Sequence, residues 1–162
     1  LAGGFIVRLS SPSFQNNTAL PTKYAHPGVT GGKNLSLPLS WADVPAETRS
    51  FAVSIIDPHP VARNWVHWFV INIPRDTHSL SEGASGTVMP PGSKELFNSY
   101  GEQGYGGPEP PKGSGRHPYV TTVYALSVDH LDLSLNATRT AFEQALSGNI
   151  IASAAITGFY ER

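Results

Sequence analysis

Phe51-Ala-Val-Ser-Ile-Ile56, Asp57-Pro-His-Pro60 and Val66-His-Trp-Phe-Val-Ile-Asn-Ile73 together decide the fold. The first and last segments are short, nearly continuous apolar runs of strand length, and such runs suit strands buried on both faces. Pro58 and Pro60 cannot donate ladder hydrogen bonds, so the first strand stops at Asp57, and Pro74 closes the second. Tyr119–Val128, rich in Val, Thr and Tyr, supplies a third buried strand.

Further out, Leu35, Leu37, Leu39 and Trp41 alternate with Asn34, Ser36, Pro38 and Ser40. This period of two reads as a half-buried strand, with Pro38 placing it at an edge or bulge. Phe5–Leu9 and Ile150–Tyr160 are further strand candidates. Only one segment reads as a helix: Thr140-Ala-Phe-Glu143 has the capping-box pattern, Ala141, Phe142, Ala145 and Leu146 form a stripe, and Gly148 is a natural stop. Pro74 to His117 is irregular, with six glycines from Gly101 to Gly115 interleaved with Pro108, Pro110 and Pro111. So long a loop is characteristically functional or disordered, and Phe97, Tyr100 and Tyr105 argue for packing. No internal repeat or shift in composition divides the chain, which predicts one all-β domain with a short C-terminal helix over residues 1–162.

The composition narrows the function. Charged residues make up 14% of the 162 residues, and 11 basic against 12 acidic side chains leave a net charge of −1, which gives no electrostatic case for nucleic acid. Runs of like charge that would bind a membrane surface are missing, and no stretch has the roughly 20 apolar residues of a transmembrane helix. With no cysteine, the chain has no disulfide, thiolate metal site or cysteine nucleophile.

Three polar residues stand where apolar ones are expected. Asp57 follows a buried strand, where a carboxylate needs a partner, although Asp-Pro is also a common turn opener. His67 shares the parity of Phe69, Ile71 and Ile73, with Val66, Trp68 and Val70 on the opposite face, so it is buried whichever way it points. Asp57 can hold one imidazole nitrogen and leave the other facing a cavity. His117 enters the third strand just after the glycine loop, whose N–H groups could form an anion nest. Two imidazoles, a tyrosyl hydroxyl and glycine amides suit a phosphate head, and binding would then weaken above about pH 6.5 if the histidines are unperturbed. A rival reading stays open, since Asp57, His59, His67 and His117 also supply the inventory of a metal-dependent enzyme site. A serine hydrolase is weaker, because no Gly-x-Ser-x-Gly elbow is present and Ser114 lies in the loop.

The chain resembles the phosphatidylethanolamine-binding protein family, also called Raf-kinase-inhibitor-like proteins, and especially its prokaryotic branch. Leu20-Pro-Thr-Lys-Tyr24 leading to Asn34–Trp41, the Asp57-Pro-His-Pro60 block with Trp65-Val-His-Trp68 and Asn72-Ile-Pro74, Gly104–Gly113, and His117-Pro-Tyr119 running into Val123–Leu126 carry the resemblance. It implies a sandwich of a large and a smaller antiparallel sheet with a small-anion pocket for phosphate, acetate or phosphoethanolamine-like groups. Asp57 and His67 would line that pocket, Trp65 would stand at its mouth, Gly107 and Pro108 would form one wall, and His117 and Tyr119 the other. It also implies a binding or regulatory protein rather than an enzyme, with no cofactor, and a kinase or a serine protease as a candidate protein partner. Inhibition of a protease would use an exposed loop, either Ser79–Gly92 or Pro108–Gly115. The expected compartment is the cytoplasm, with periplasmic or secreted placement left open. Four positions depart from the family pattern: His59 replaces a second aspartate, Pro60 stands one place earlier than the family's proline, Pro118 replaces an arginine so that a rim cation is absent or falls to Arg116, and Glu109 replaces a small residue or cysteine in the wall with Gly107 and Pro108.

Overall fold

The computed structural model describes residues 7–162. Nine strands and one α-helix follow in order: β1 (Arg8–Ser10), β2 (Thr18–Ala19), β3 (Leu39–Ala42), β4 (Ser50–Asp57), β5 (Trp65–Pro74), β6 (Ser79–Leu80), β7 (Lys94–Glu95), β8 (His117–Leu126), α1 (Arg139–Leu146) and β9 (Ile150–Tyr160). A small sheet has the order β1-β3-β6, and a large one has the order β2-β9-β8-β4-β5-β7. All pairings are antiparallel except that of β2 with β9, where Thr18 meets Gly158. The expected sandwich of two unequal sheets is present. Of the strand candidate Phe5–Leu9, Arg8 and Leu9 belong to β1, while Phe5 and Ile6 lie outside the described residues.

The continuous apolar runs of β4 and β5 follow from burial on both faces of the large sheet. Phe51, Val53 and Ile55 pack toward the small sheet with Leu37, Leu39 and Trp41. Ala52, Phe69 and Ile71 pack on the other face against Phe142 and Leu146 of α1. Phe69 and Phe142 stack with ring centroids 4.0 Å apart, and burying each such side chain stabilises the fold by about 1.5–3 kcal/mol. The helix starts two residues earlier than the capping box suggested. Thr138 is the N-cap, accepting a bond from the Ala141 N–H at 3.1 Å, and Glu143 pairs with Arg139 instead of closing a box with Thr140. The alternation from Leu35 to Trp41 does not hold for burial, since Ser36 and Pro38 are buried with Leu37, Leu39 and Trp41 while Leu35 is half-buried, and the ladder begins only at Leu39, after Pro38.

Two bulges in β5 set the face on which its side chains stand. Phe51 and Val53 pair with Ile73 and Val70, leaving one extra residue in β5, and Asn72 there has φ 59°. The Asn72 amide bonds both the N–H and the C=O of Leu131. Ile55 and Ile56 pair with Trp68 and Val66, so His67 is the second extra residue. Strict alternation would put His67 beside Phe69, beneath α1. The bulge turns it to the opposite face, where its ring lies 4.9 Å from that of Tyr119.

The irregular segment between β5 and β8 is tightly tied. Leu96, Asn98 and Tyr105 are buried, and the Asn98 side chain closes the turn from Tyr100 to Gly104. The Tyr105 hydroxyl donates to the Tyr24 carbonyl at 2.8 Å. This packing makes the segment a fixed wall against the ends of β4, β5 and β8.

Candidate functional site

Asp57 ends β4 almost fully buried, and both carboxylate oxygens are engaged. Oδ1 accepts the His59 N–H at 2.9 Å, while Oδ2 lies 2.6 Å from Nδ1 of His117 at the start of β8. The aspartate thus both opens the turn and forms the buried pair. On the far side of the ring, His117 Nε2 is 2.8 Å from Ser114 Oγ, and the Ser114 hydroxyl donates to the Pro111 carbonyl at 2.6 Å. Since that hydroxyl has one proton, it accepts from His117, whose Nε2 therefore carries hydrogen. The contact with Asp57 needs a second proton between ring and carboxylate, so the Asp57–His117 pair is neutral as a unit.

That accounting separates the site from a hydrolase triad. Aspartate, histidine and serine stand in sequence, yet the serine proton points at a carbonyl and no lone pair on His117 faces the hydroxyl.

His67 is held differently. Its Nδ1 is 2.6 Å from the Gly106 carbonyl, which only accepts, so Nδ1 carries the proton and Nε2 presents a lone pair. Burial pushes the His67 pKa down to about 4, opposed by the Gly106 carbonyl and by the charge of Asp57. The ring is neutral at ordinary pH, which replaces the expectation of a histidine titrating near 6.5. Asp57 orients His117 and makes no hydrogen bond to His67.

These groups open onto a cavity of about 280 Å³. Asp57, His67, His117 and Tyr119 form its floor, and Trp65, 37% exposed, stands at the mouth with its ring edge-on to Tyr100. Val61, Ala62, Pro110 and Pro111 make the walls apolar, and Glu109 adds a carboxylate. The Tyr119 hydroxyl has no hydrogen-bond partner among the described residues, and burial raises its pKa, so it remains a neutral donor. The Tyr100 hydroxyl already donates to the Gly107 carbonyl at 2.7 Å.

Three expected site residues stand elsewhere. His59 is absent from the cavity surface. Its Nδ1 accepts the Val61 N–H, and its ring lies flat on that of His117 with centroids 3.8 Å apart. Gly107 and Pro108 back the wall without lining it. The Gly107 N–H donates to Asn34 Oδ1, and the Pro108 carbonyl accepts the His26 N–H. Nor do the loop glycines form an anion nest, because the N–H groups of Gly104, Gly106 and Gly113 are bonded to Leu96, His67 and Arg162 carbonyls.

Arg116 does not supply a rim cation, since its guanidinium lies 3.9 Å over the Phe159 ring. Arg162 instead donates to the carbonyl of Pro110 in the cavity wall. The sequence reading did not place Tyr100, Val61, Ala62, Pro110 or Pro111 at the cavity. Their only signal was their position in the Gly/Pro loop or beside the Asp57 turn. Among the described residues, no group of three or more His, Asp or Glu side chains is arranged to hold a metal ion. The rings of His59 and His117 are parallel and do not converge.

Comparison with known proteins agrees with this architecture. A UPF0098 protein of Aquifex aeolicus is 39% identical over 161 residues, covering 99% of this chain and 92% of the relative. The UPF0098 protein YbhB of Escherichia coli is 37% identical, covering 95% and 99%. The solved structure of Escherichia coli YbcL superposes with a TM-score of 0.90 at 35% identity, over 96% of this chain and 98% of that one. The family model for phosphatidylethanolamine-binding protein matches residues 10–161. In sequence and in the arrangement of its two sheets, this chain belongs to the phosphatidylethanolamine-binding protein family.

Proposed function

We propose that the chain is a non-catalytic binding protein whose cavity takes one small, protonated, singly charged anionic group, such as dihydrogen phosphate or the singly ionised monoester of a phosphoethanolamine-like ligand. The observation that carries this reading is a complementary pair of unpartnered atoms. The Tyr119 hydroxyl is a donor and His67 Nε2 is an acceptor, and both residues form the floor beside the neutral Asp57–His117 pair. A dihydrogen phosphate matches that pair, since one oxygen accepts from Tyr119 while a hydroxyl of its own donates to His67. A fully ionised phosphate has nothing to donate and leaves the His67 lone pair opposed. The hydroxyl of Ser114, committed to a carbonyl, supports binding over catalysis.

Titration calorimetry with inorganic phosphate and with phosphoethanolamine tests the reading. Tyr119→Phe and His67→Phe should each weaken binding on the order of tenfold, the loss expected when a buried polar group is left unpaired. Affinity that is unchanged in both variants would place the anion elsewhere and end the proposal.

A second reading, inhibition of a serine protease, is favoured by Val88. This apolar side chain is 74% exposed within the Ser79–Gly92 loop. Inhibition that survives His67→Phe and is lost with Val88→Asp would establish it.

A further inference from the structure

Glu109 is the second carboxylate of the cavity, and its surroundings are as specific as those of Asp57. Its side chain is 28% exposed, and Oε2 lies 3.0 Å from His26 Nδ1. The other oxygen rests against Gly28 so closely that a Cβ there would lie 2.0 Å from it. His26 Nε2 in turn lies 3.2 Å from Glu102 Oε1. The imidazole is stacked on Tyr100, centroids 4.3 Å apart, and its backbone N–H is bonded to the Pro108 carbonyl. His26 is therefore fastened to the outer side of the wall that Tyr100 and Glu109 present to the cavity.

An ionised carboxylate only accepts hydrogen bonds. A neutral ring between two carboxylates turns a lone pair toward one of them, whereas an imidazolium meets both with positive charge. The Nδ1 contact with Glu109 is too bent for a hydrogen bond, and Nδ1 has no other partner, so its value is electrostatic. The charged and titratable groups around the ring are Glu102 and Glu109 on either nitrogen, Tyr100 beneath it, and His67 within electrostatic reach. Arg162 lies farther round the rim, at Pro110. Asp57 is matched by His117, which leaves Glu109 as the carboxylate whose charge an entering anion would meet, and His26 as its counter-charge.

We propose that Glu109 sets the charge preference of the cavity, disfavouring doubly charged anions relative to singly charged ones, and that His26 is the positioning residue that holds it and offsets part of its charge. The inference rests on the small-anion reading of the cavity and adds its selectivity.

The test is calorimetric titration of inorganic phosphate and of acetate, at one pH near neutral, into the full chain and three variants: Glu109→Gln, His26→Asn and the double variant. Glu109→Gln should bind phosphate on the order of tenfold more tightly, as removal of one nearby charge at intermediate dielectric allows, and should gain less for acetate. His26→Asn should weaken phosphate by a similar factor in the parent and have little effect once Glu109 is Gln. A merely structural role for His26 would weaken binding equally in both backgrounds. If His26→Asn fails to fold, the phosphate-against-acetate difference of Glu109→Gln decides alone. Equal affinities for parent and Glu109→Gln would overturn the inference while leaving the cavity's function standing. Absence of phosphate binding by every protein would overturn both.

Discussion

Oδ2 of Asp57 and Nδ1 of His117 meet at 2.6 Å across the ends of β4 and β8, with side-chain exposures of 3% and 1%. Two groups so buried are stable only as a pair. Removing one partner leaves the other desolvated, a loss of about 3–5 kcal/mol. Asp57→Ala should therefore lower unfolding stability by that amount in urea titrations. Asp57→Asn should be much milder, because the amide can still accept from His59 and donate to a neutral His117 bearing its proton on Nε2. Equal losses for Ala and Asn, or a loss below about 1 kcal/mol for Ala, would contradict the neutral-pair account.

His67 links the site to the pH dependence of stability. Its folded-state pKa of about 4 lies below the unfolded value of 6.5, so the unfolded chain takes up the proton first as pH falls. The stability gained by keeping the ring neutral is fully present above about pH 6.5 and is lost as pH falls through about 4, a change of about 3 kcal/mol at most. Urea midpoints measured across that window for the parent and for His67→Phe should diverge, with the parent falling more steeply. The difference between the two curves removes the carboxylates that titrate nearby, and parallel curves would show that His67 is not buried in its neutral form.

The strands β4 and β5 were legible because burial on both faces leaves a continuous apolar run, and β8, which alternates buried with half-buried residues, was legible from its Val, Thr and Tyr content. The same runs hid the face on which His67 stands. A bulge inserts one residue without a sequence signature, so period-two counting groups the ring with Phe69 and Ile71, whose face α1 covers, while the structure puts it beside Tyr119. Asp57 and His117 were legible as polar residues at strand ends. The glycine nest was not, because whether an N–H is free depends on partners distant in sequence, such as Asn34 for Gly107. Resemblance located the wall at Gly107 and Pro108 with Glu109 in it, and the three-dimensional contacts keep Glu109 at the cavity and replace the other two by Pro110 and Pro111.

A lone pair on His67 Nε2 makes the ligand's own proton part of recognition. Phosphomonoesters lose their second proton near pH 6. Their affinity should then fall above that pH, approaching tenfold per unit, although His67 itself does not titrate there. A phosphodiester has no such proton and should bind weakly at every pH. Affinity for phosphoethanolamine that stays level between about pH 6 and 8 would mean that the dianion is accepted and that His67 presents a donor.

Gly107 separates a structural wall from an anion-binding one. A Cβ at this position would lie 2.0 Å from the Tyr24 carbonyl oxygen and 2.7 Å from the Ala25 carbonyl carbon. Both are backbone atoms that no rotamer change can move aside. Gly107→Ala should therefore destabilise by about 3 kcal/mol or more. Asn34→Ala tests the same wall without a clash. It removes the acceptor of the Gly107 N–H and the donor to the Tyr105 carbonyl, which should lower stability by about 1–3 kcal/mol. Were the Gly107 N–H instead a ligand donor in competition with Asn34, freeing it would tighten phosphate binding. The geometry predicts no gain, because the N–H points away from the cavity, toward the segment that carries Asn34. Tighter binding in the folded Asn34→Ala protein would return Gly107 to the site.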